Sequence, residues 1–248
     1  MINKILSNLE KEYASINRTT LNSMRKNATP FQILIACILS LQVKDEATKK
    51  ATENLFKIAK TPKQILNLPT KKLEELIYSS RHYKKKAQTI KHISKEIINR
   101  FKNRVPNTKE ELLSIKGIGP KTANIVLNFA FNKPVIPVDS NVHRISNRIG
   151  LVNTKNPKET ENQLNKITTN KQKKEINALL MLHGKNYCLT RKPNCKKCPI
   201  EKYCKKTKIT EKPDFLLHKY HKQTKQKKPQ SRLTDRVNCQ YRSKVLSS

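Results

Sequence analysis

The stretch that most constrains how this chain can fold is residues 115–124, IKGIGPKTAN. The whole chain contains only four glycines, and two of them, Gly117 and Gly119, stand here one residue apart. Pro120 follows directly and suits the first turn of a helix, where the backbone N–H has no partner within the helix. The stretch therefore predicts a tight turn that leads into a helix N-terminus.

This turn is a candidate anion site. Glycine lets a ligand approach the backbone closely, and the N-terminus of a helix carries partial positive charge. Upstream, Thr108 and Glu111 form a capping-box pattern at the start of another helix, which predicts a unit of helix, Gly-x-Gly turn and helix. An ordinary helix–helix turn that binds nothing has the same pattern, so the spacing alone leaves both interpretations open.

The unit resembles the helix-hairpin-helix of the DNA glycosylase superfamily that includes endonuclease III. The resemblance implies that the hairpin, with Gly117 and Gly119, holds the DNA backbone, and that Lys121 just after it is the nucleophile. Residues 138–144, VDSNVHR, are similar to the segment that carries the catalytic aspartate, which assigns that role to Asp139. Asp139 is also well placed to cap the following helix, and the two roles are compatible.

The formal charge of the chain is +35, from 53 Lys and Arg against 18 Asp and Glu. A surface this basic attracts polyanions, of which nucleic acid is the usual one. A coding bias toward lysine would raise the charge without any such function. The charge therefore supports DNA binding but does not by itself predict it.

The sequence contains no apolar run of membrane-spanning length, and polar residues interrupt the first nine positions, unlike the core of a signal peptide. We therefore expect an intracellular protein without a membrane partner. Six cysteines would suggest disulfides in a secreted chain, but that context is missing here. We expect the protein to act as a monomer.

Apolar residues recur at helical spacing along most of the chain. Thr29 and Pro30 are predicted to start a helix whose body, residues 31–41, is apolar nearly all round and so belongs in a core. Asp45 is predicted to cap the next helix, and Gly150 to end the helix that follows Asp139. Sustained period-two alternation is missing, so the fold class is predicted to be all-α, with no sheet of consequence.

Two further segments match the family at positions that contact DNA. Residues 39–45, LSLQVKD, resemble the turn whose glutamine fills the gap left by an extruded base, which makes Gln42 the candidate for that role. A polar residue that merely ends a helix is the alternative. In residues 79–87, Arg81 and His82 stand where the family has a glycine and an apolar wedge. His82 could stack on a base or be a solvated loop residue.

Four cysteines near the end of the predicted helical region form the second strong signal. They have six, two and five residues between successive members: Cys188, Cys195, Cys198 and Cys204. Four thiolates so close in sequence can bind one metal centre, either zinc or an iron–sulfur cluster. The spacing is similar to the [4Fe–4S] loop of endonuclease III, and in that family the loop also offers cations to the DNA backbone. By this resemblance Arg191 and Lys192 are predicted to contact phosphates.

The resemblance implies an all-α protein with two helical domains on either side of a DNA-binding cleft. Residues 23–133 form a helical-barrel domain with the helix-hairpin-helix, and residues 134–208 form the cluster domain. Residues 1–22 contribute an N-terminal helix that packs with the cluster domain. Residues 209–248 lack apolar periodicity and carry 10 basic and 3 acidic residues, which predicts a disordered basic tail.

The function implied by this resemblance is base-excision DNA repair. The enzyme would be a bifunctional DNA glycosylase that removes damaged bases, oxidised pyrimidines above all, and cleaves abasic sites by β-elimination. Its partner would be double-stranded DNA with damaged bases or abasic sites. The alternatives are a monofunctional mismatch glycosylase acting on adenine or thymine, an 8-oxoguanine glycosylase, which also uses lysine but lacks the cluster, and a DNA-binding protein without catalysis.

Overall fold

The fold in this computed structural model is built from helices. The structure describes residues 1–15, 19–207 and 209, and within these it contains no β-strand, which confirms the predicted all-α class. The α-helices are α1 (Ile2–Glu12), α2 (Thr20–Met24), α3 (Pro30–Ser40), α4 (Asp45–Ile58), α5 (Pro62–Asn67), α6 (Thr70–Leu76), α7 (Tyr83–Phe101), α8 (Lys109–Leu113), α9 (Pro120–Phe129), α10 (Ser140–Ile149), α11 (Pro157–Ile167) and α12 (Asn170–Asn186). Two 3₁₀ helices follow, Cys195–Lys197 and Glu201–Tyr203.

Helix α3 is the buried helix that the sequence predicts. Thr29 accepts a hydrogen bond from the backbone N–H of Gln32, whose side chain accepts one from the backbone N–H of Thr29 in return. Pro30 fills the first helical position, as Pro does at many helix starts. Every residue from Ile33 to Leu39 is buried, so α3 has no solvated face in that stretch.

The predicted role of Asp45 as a helix cap is wrong. Lys44 occupies the N-cap position of α4, and Asp45 is the first residue inside the helix. Its carboxylate accepts a hydrogen bond from the backbone N–H of Thr20, which lies 3.2 Å from both oxygens. The side chain therefore holds the start of α2 against α4, a long-range contact that the local sequence pattern does not contain.

Apolar side chains form two main clusters. The larger one lies among helices α3 to α9, from Phe31 to Leu127. The second joins α1 to residues 136–200 and includes Ile5, Leu9 and Val142. The N-terminal helix thus packs with the segment that carries the four cysteines. The domain boundaries given above stay a prediction.

Within the described residues, no helix is both long enough and apolar enough to cross a membrane. The tail predicted for residues 209–248 lies outside the described residues, apart from Ile209.

Candidate active site and nucleic-acid interface

The helix-hairpin-helix is present as predicted. Helix α8 ends at Leu113, residues 114–119 form the turn, and α9 begins at Pro120 with Gly119 as its N-cap. Ile115 and Ile118 are buried in the larger apolar cluster, and the N–H of Ile118 donates to the carbonyl of Ile115 at 3.1 Å. The apolar side chains therefore fix the turn to the core while its glycines remain exposed.

The two glycines of the turn are needed for different reasons. Gly117 has a φ of +101°, which disfavours any other residue, and a Cβ atom there would lie 2.7 Å from Cγ2 of Thr89. Gly119 has a φ of −96°, which any residue adopts, and a Cβ atom there would meet no atom within 4 Å. The fold itself requires glycine at position 117, whereas at 119 the backbone faces open space that an external ligand can enter.

Three of the predicted site residues lie around one cavity. Lys121, Asp139 and Gln42 all line a cavity of about 430 Å³, within the size range of small-molecule sites. Lys121 is the second residue of α9 and its side chain is exposed. Residues of opposite charge thus meet at a site large enough for a nucleoside.

Asp139 is held rigidly at this cavity. It is the N-cap of α10, and its Oδ1 accepts hydrogen bonds from the N–H groups of Asn141 at 2.9 Å and Val142 at 2.8 Å. The residue is 8% exposed. Because both capping bonds go to Oδ1, the cap does not need Oδ2, and the predicted capping role is confirmed without using up the carboxylate.

Three asparagines position the extended segment that leads to Asp139. Asn124 and Asn128 of α9 donate to the carbonyls of Ile136 (3.2 Å) and Val135 (2.7 Å), and Asn177 of α12 donates to that of Pro137 (2.7 Å). All three are buried. Their positioning role was not predicted from the sequence, although two amides four residues apart on the apolar helix α9 indicate buried hydrogen bonds.

A second carboxylate, that of Asp45, lines the same cavity. The capping bonds of Asp139 use Oδ1 alone, whereas both oxygens of Asp45 lie 3.2 Å from the backbone nitrogen of Thr20 and its Oδ2 lies 3.9 Å from the ammonium of Lys185. Lys44 and Lys185 also line the cavity, so three lysines, including Lys121, face two carboxylates. The positive excess suits a polyanionic ligand.

Gln42 lies in the turn that ends the buried helix α3. Its φ is +57°, a left-handed conformation that is uncommon for residues other than glycine, and its side chain is exposed. The N–H of Val43 closes the turn by donating to the carbonyl of Ser40 at 3.3 Å. The side chain therefore projects from a tightly constrained backbone.

His82 lies on a second turn and, like Gln42, has a positive φ. It is the N-cap of α7, has a φ of +59°, and is exposed. Close to it, the rings of Tyr78 and Tyr83 stand 4.9 Å apart. Five residues predicted to contact DNA are absent from the described lining of the cavity, namely His82, Gly117, Gly119, Arg191 and Lys192. Their predicted DNA contacts would thus be made outside it and stay predictions.

The four cysteines lie close to one another. The pKa of the Cys198 thiol is raised to about 11, mainly by burial and then by the neighbouring thiols of Cys204, Cys188 and Cys195, while a backbone hydrogen bond from Ile200 opposes the rise. The pKa of Cys204 is also raised, first by burial and then by Cys188 and Cys195. Across residues 1–15, 19–207 and 209, however, no three His, Cys, Asp or Glu side chains are arranged as a finished metal site.

Two types of donor lie beside these thiols, a guanidinium and an imidazole. Nη1 of Arg148 lies 3.5 Å from Sγ of Cys188 and donates to the carbonyl of Leu189 at 2.6 Å. Nε2 of His183 lies 3.6 Å from Sγ of Cys198, and its Nδ1 pairs with the hydroxyl of Tyr13 at 2.9 Å. A donor set of four thiols with cationic and N–H neighbours fits a group that binds thiolates.

Cys37 does not belong to this set. It is buried in α3, in a small apolar cluster with Ile33, Ile125 and Phe129. Burial raises its pKa to about 12, and the positive charge of Lys121 opposes that rise. Ile125 and Phe129 of this cluster line the cavity, so part of the cavity wall is apolar.

The sequence of this chain is similar to a known protein family. Residues 35–170 match the model of the HhH-GPD superfamily base excision DNA repair proteins. The chain is 40% identical to an endonuclease III of Thermotoga maritima over 179 residues, which cover 72% of this chain and 84% of the relative.

Solved structures agree with this comparison. The chain resembles a trapped covalent intermediate of an endonuclease III with DNA, with 30% identity, a TM-score of 0.74 and coverage of 83% of this chain and 94% of the other. It also resembles a thermostable thymine-DNA glycosylase, with 26% identity, a TM-score of 0.73 and coverage of 82% and 94%.

Proposed function

We propose that Lys121 and Asp139 carry out the chemistry of this protein. The chain belongs to the endonuclease III family within the HhH-GPD superfamily of base excision DNA repair proteins. The protein is a DNA glycosylase and abasic-site lyase. The single observation that carries the assignment is the meeting of the exposed amine of Lys121 and the fixed carboxylate of Asp139 at one cavity. Damaged double-stranded DNA is the substrate, bound by one copy of the chain.

Lys121 is the nucleophile in this proposal. A glycosylase extrudes its target nucleotide from the duplex so that the sugar reaches the active site. The neutral amine attacks C1′, the damaged base leaves, and a Schiff base joins Lys121 to the opened sugar. β-Elimination from this intermediate then cuts the strand. The cavity of about 430 Å³ has room for the extruded nucleoside.

Asp139 stabilises the charge that develops on the sugar. Positive charge builds up at C1′ as the base departs, and a fixed carboxylate nearby lowers the energy of that state without having to reorganise. The two N–H bonds to Oδ1 hold the carboxylate in place. The carboxylate also accepts and returns a proton during Schiff-base formation.

The hairpin binds a DNA phosphate through its backbone amides. The open space beside Gly119 supports this role, because nothing in the protein itself excludes a side chain there. A phosphate at the start of α9 also gains from the helix dipole. Gln42 fills the gap left by the extruded nucleotide, and outside the cavity His82 stacks on a neighbouring base while Arg191 and Lys192 contact phosphates.

The four cysteines hold a [4Fe–4S] cluster in this proposal. When bound, such a cluster draws a loop of the chain together and supplies no step of the base-removal chemistry described here. Support comes from the closeness of the four thiols and from the Arg148 and His183 donors around them. Zinc is the alternative metal, and analysis of iron, sulfide and zinc in anaerobically purified protein separates the two.

Oxidised pyrimidines are the proposed lesions. The rival is a monofunctional mismatch glycosylase, favoured by the likeness to the thymine-DNA glycosylase structure. That rival releases a base without forming a Schiff base, whereas Lys121 supplies an amine at the cavity. A panel of duplexes with single oxidised pyrimidines, oxidised purines, mismatches or abasic sites would identify the preferred substrate.

Borohydride trapping tests the assignment. Reduction during turnover should leave the protein covalently joined to DNA, and peptide mapping should place the bond at Lys121. Lys121→Gln should abolish trapping while DNA binding is largely kept, because the hairpin amides and other cations still hold the phosphates. Lys185→Gln, which removes another amine lining the cavity, is the matched control and should still trap. A crosslink that persists undiminished in Lys121→Gln would disprove the assignment.

A further inference from the structure

Two turns carry the residues proposed to enter the duplex, and they come from distant parts of the chain. Gln42 follows α3, and His82 precedes α7. Both residues have a left-handed backbone, with φ of +57° and +59°, and both side chains are exposed. Replacing an extruded nucleotide requires groups to enter the duplex from fixed positions, so the spacing of the two turns matters for the reaction.

One buried lysine connects these turns. The ammonium of Lys86 donates to the carbonyl of Leu39 at 2.9 Å, to the carbonyl of Leu41 at 2.8 Å, and to the hydroxyl of Ser80 at 2.8 Å. Leu41 directly precedes Gln42, and Ser80 belongs to the loop that leads to His82. The three bonds join the end of α3 to the second turn.

Two serine hydroxyls that precede the His82 turn make further hydrogen bonds that support this connection. The hydroxyl of Ser80 itself donates to the carbonyl of Leu39 at 2.8 Å, and that of Ser79 donates to the carbonyl of Ala47 at 3.0 Å. Ser80 is fully buried and Lys86 is 7% exposed. A buried ammonium is costly unless its donors are satisfied, and here all three have an acceptor.

We propose that Lys86 is a positioning residue that fixes the Gln42 turn and the His82 turn relative to each other, so that both enter the duplex together as the target nucleotide is extruded. The inference rests on the DNA-inserting roles proposed above for Gln42 and His82. Lys86 does not line the cavity, so its effect falls on extrusion and not on the attack by Lys121.

Helix α7 contains a matched lysine that lacks this connection. The ammonium of Lys91 donates to the carbonyls of Leu66 at 3.2 Å and Leu68 at 2.5 Å. It thus caps the end of α5 with the same chemistry by which Lys86 caps the end of α3. These bonds of Lys91 reach neither the Gln42 turn nor the His82 turn. Substitution of Lys91 therefore measures the effect of losing a helix cap alone, without the proposed coupling of the two turns.

The test compares two substrates in single turnover with the full-length, metal-loaded protein. A duplex with an oxidised pyrimidine requires extrusion of a paired base, whereas a duplex with a preformed abasic site does not. Lys86→Met should lower base release by about tenfold or more, the loss expected when hydrogen bonds from a charged group are removed. Cleavage of the abasic duplex should fall much less.

Three further variants complete the test. Lys91→Met should change neither reaction, and Lys86→Arg should recover part of the base release because it restores a donor. Ser80→Ala removes the link to the second turn while Lys86 still caps α3, so it should also lower base release selectively, and it carries the test if Lys86→Met does not fold. A 2-aminopurine placed opposite the lesion reports insertion directly, and its fluorescence rise should be slower in Lys86→Met and Ser80→Ala.

Equal losses on both substrates, or unchanged base release in a folded Lys86→Met or Ser80→Ala protein, would overturn the inference. Failure of the wild-type protein to be trapped on abasic DNA would instead count against the proposed function. The two failures are therefore distinguishable in the same set of experiments.

Discussion

The cavity at Lys121 and the cysteine loop at residues 188–204 are held in place in opposite ways. Around the cavity, helix caps and buried amides position the functional groups, as when two N–H groups fix Asp139. The cysteine loop contains two 3₁₀ helices without a buried residue, and Ile200 is its fully buried apolar side chain. The cavity is therefore preorganised by the fold itself, whereas the loop needs its thiols to be joined.

This difference has a consequence for mutations. At the cavity, a change of one functional atom should alter the chemistry and leave the fold intact. In the loop, loss of one thiol should alter the fold locally and leave the chemical groups untouched. Single substitutions in each region distinguish these two cases.

The largest effect is expected at Asp139. Asp139→Asn keeps a side-chain oxygen that can accept the capping bonds but removes the negative charge, so base release should fall by about 10²-fold or more. Single-turnover kinetics measure the loss, and thermal unfolding should show little change. Asp45→Asn is the control, because that carboxylate lines the same cavity but is held by Thr20 and Lys185. Equal losses of base release in Asp139→Asn and Asp45→Asn would contradict a specific catalytic role for Asp139.

The second effect concerns the cysteine loop. Cys198→Ala should lose the bound iron and sulfide, and the loop should become sensitive to proteolysis, because metal binding and folding are coupled in such sites. Absorbance of the cluster and limited proteolysis measure both. Cys37→Ala, in the buried helix α3, should keep its iron and lose about 1 kcal/mol or more of stability through the missing sulfur. A Cys198→Ala protein that keeps its full iron content would contradict the dependence of the loop on its four thiols.

The third effect is a pH dependence at Lys86. Burial lowers the pKa of Lys86 to about 8, while an unfolded chain restores the ordinary lysine value of about 10.4. Between these values the unfolded state binds more protons, so the contribution of Lys86 to the free energy of unfolding rises with pH, by up to about 1.4 kcal/mol per pH unit. It is lost as the pH falls through the pKa of the folded state.

Denaturant unfolding of the wild type and of Lys86→Met between pH 7 and 10 measures this contribution. The difference in stability should move in favour of the wild type as the pH rises. The ammonium is bonded to two carbonyls and a hydroxyl, which do not titrate in this range. A difference that stays constant with pH would contradict the lowered pKa.

The smallest effect is expected at Arg191. Its guanidinium is exposed on the cysteine loop, so Arg191→Ala should weaken DNA binding without changing the rate of bound complexes. Loss of one phosphate contact should reduce the slope of log affinity against log salt by about 0.9. Fluorescence anisotropy at several salt concentrations measures the slope. Arg100→Ala, whose guanidinium is paired with Glu96, is the control, and an equal change there would indicate a general effect of charge.

Several helix ends could be predicted from the sequence alone. Thr29, Pro30, Asp139 and Gly150 act as predicted, because caps and glycine stops depend on neighbours within about one helical turn. The Gly-x-Gly turn was predictable for the same reason. The family resemblance predicted functional roles for Lys121 and Gln42, which line the cavity together with Asp139.

Tertiary structure alone decided what joins these elements. The local pattern made Asp45 a cap, but its carboxylate is used 25 residues away at Thr20. Lys86 reaches Leu39 across 47 residues, and Asn177 reaches Pro137 across 40. Such contacts leave no local periodicity, because a buried polar group takes whichever acceptor the packing of distant helices brings to it, and that packing depends on the whole core.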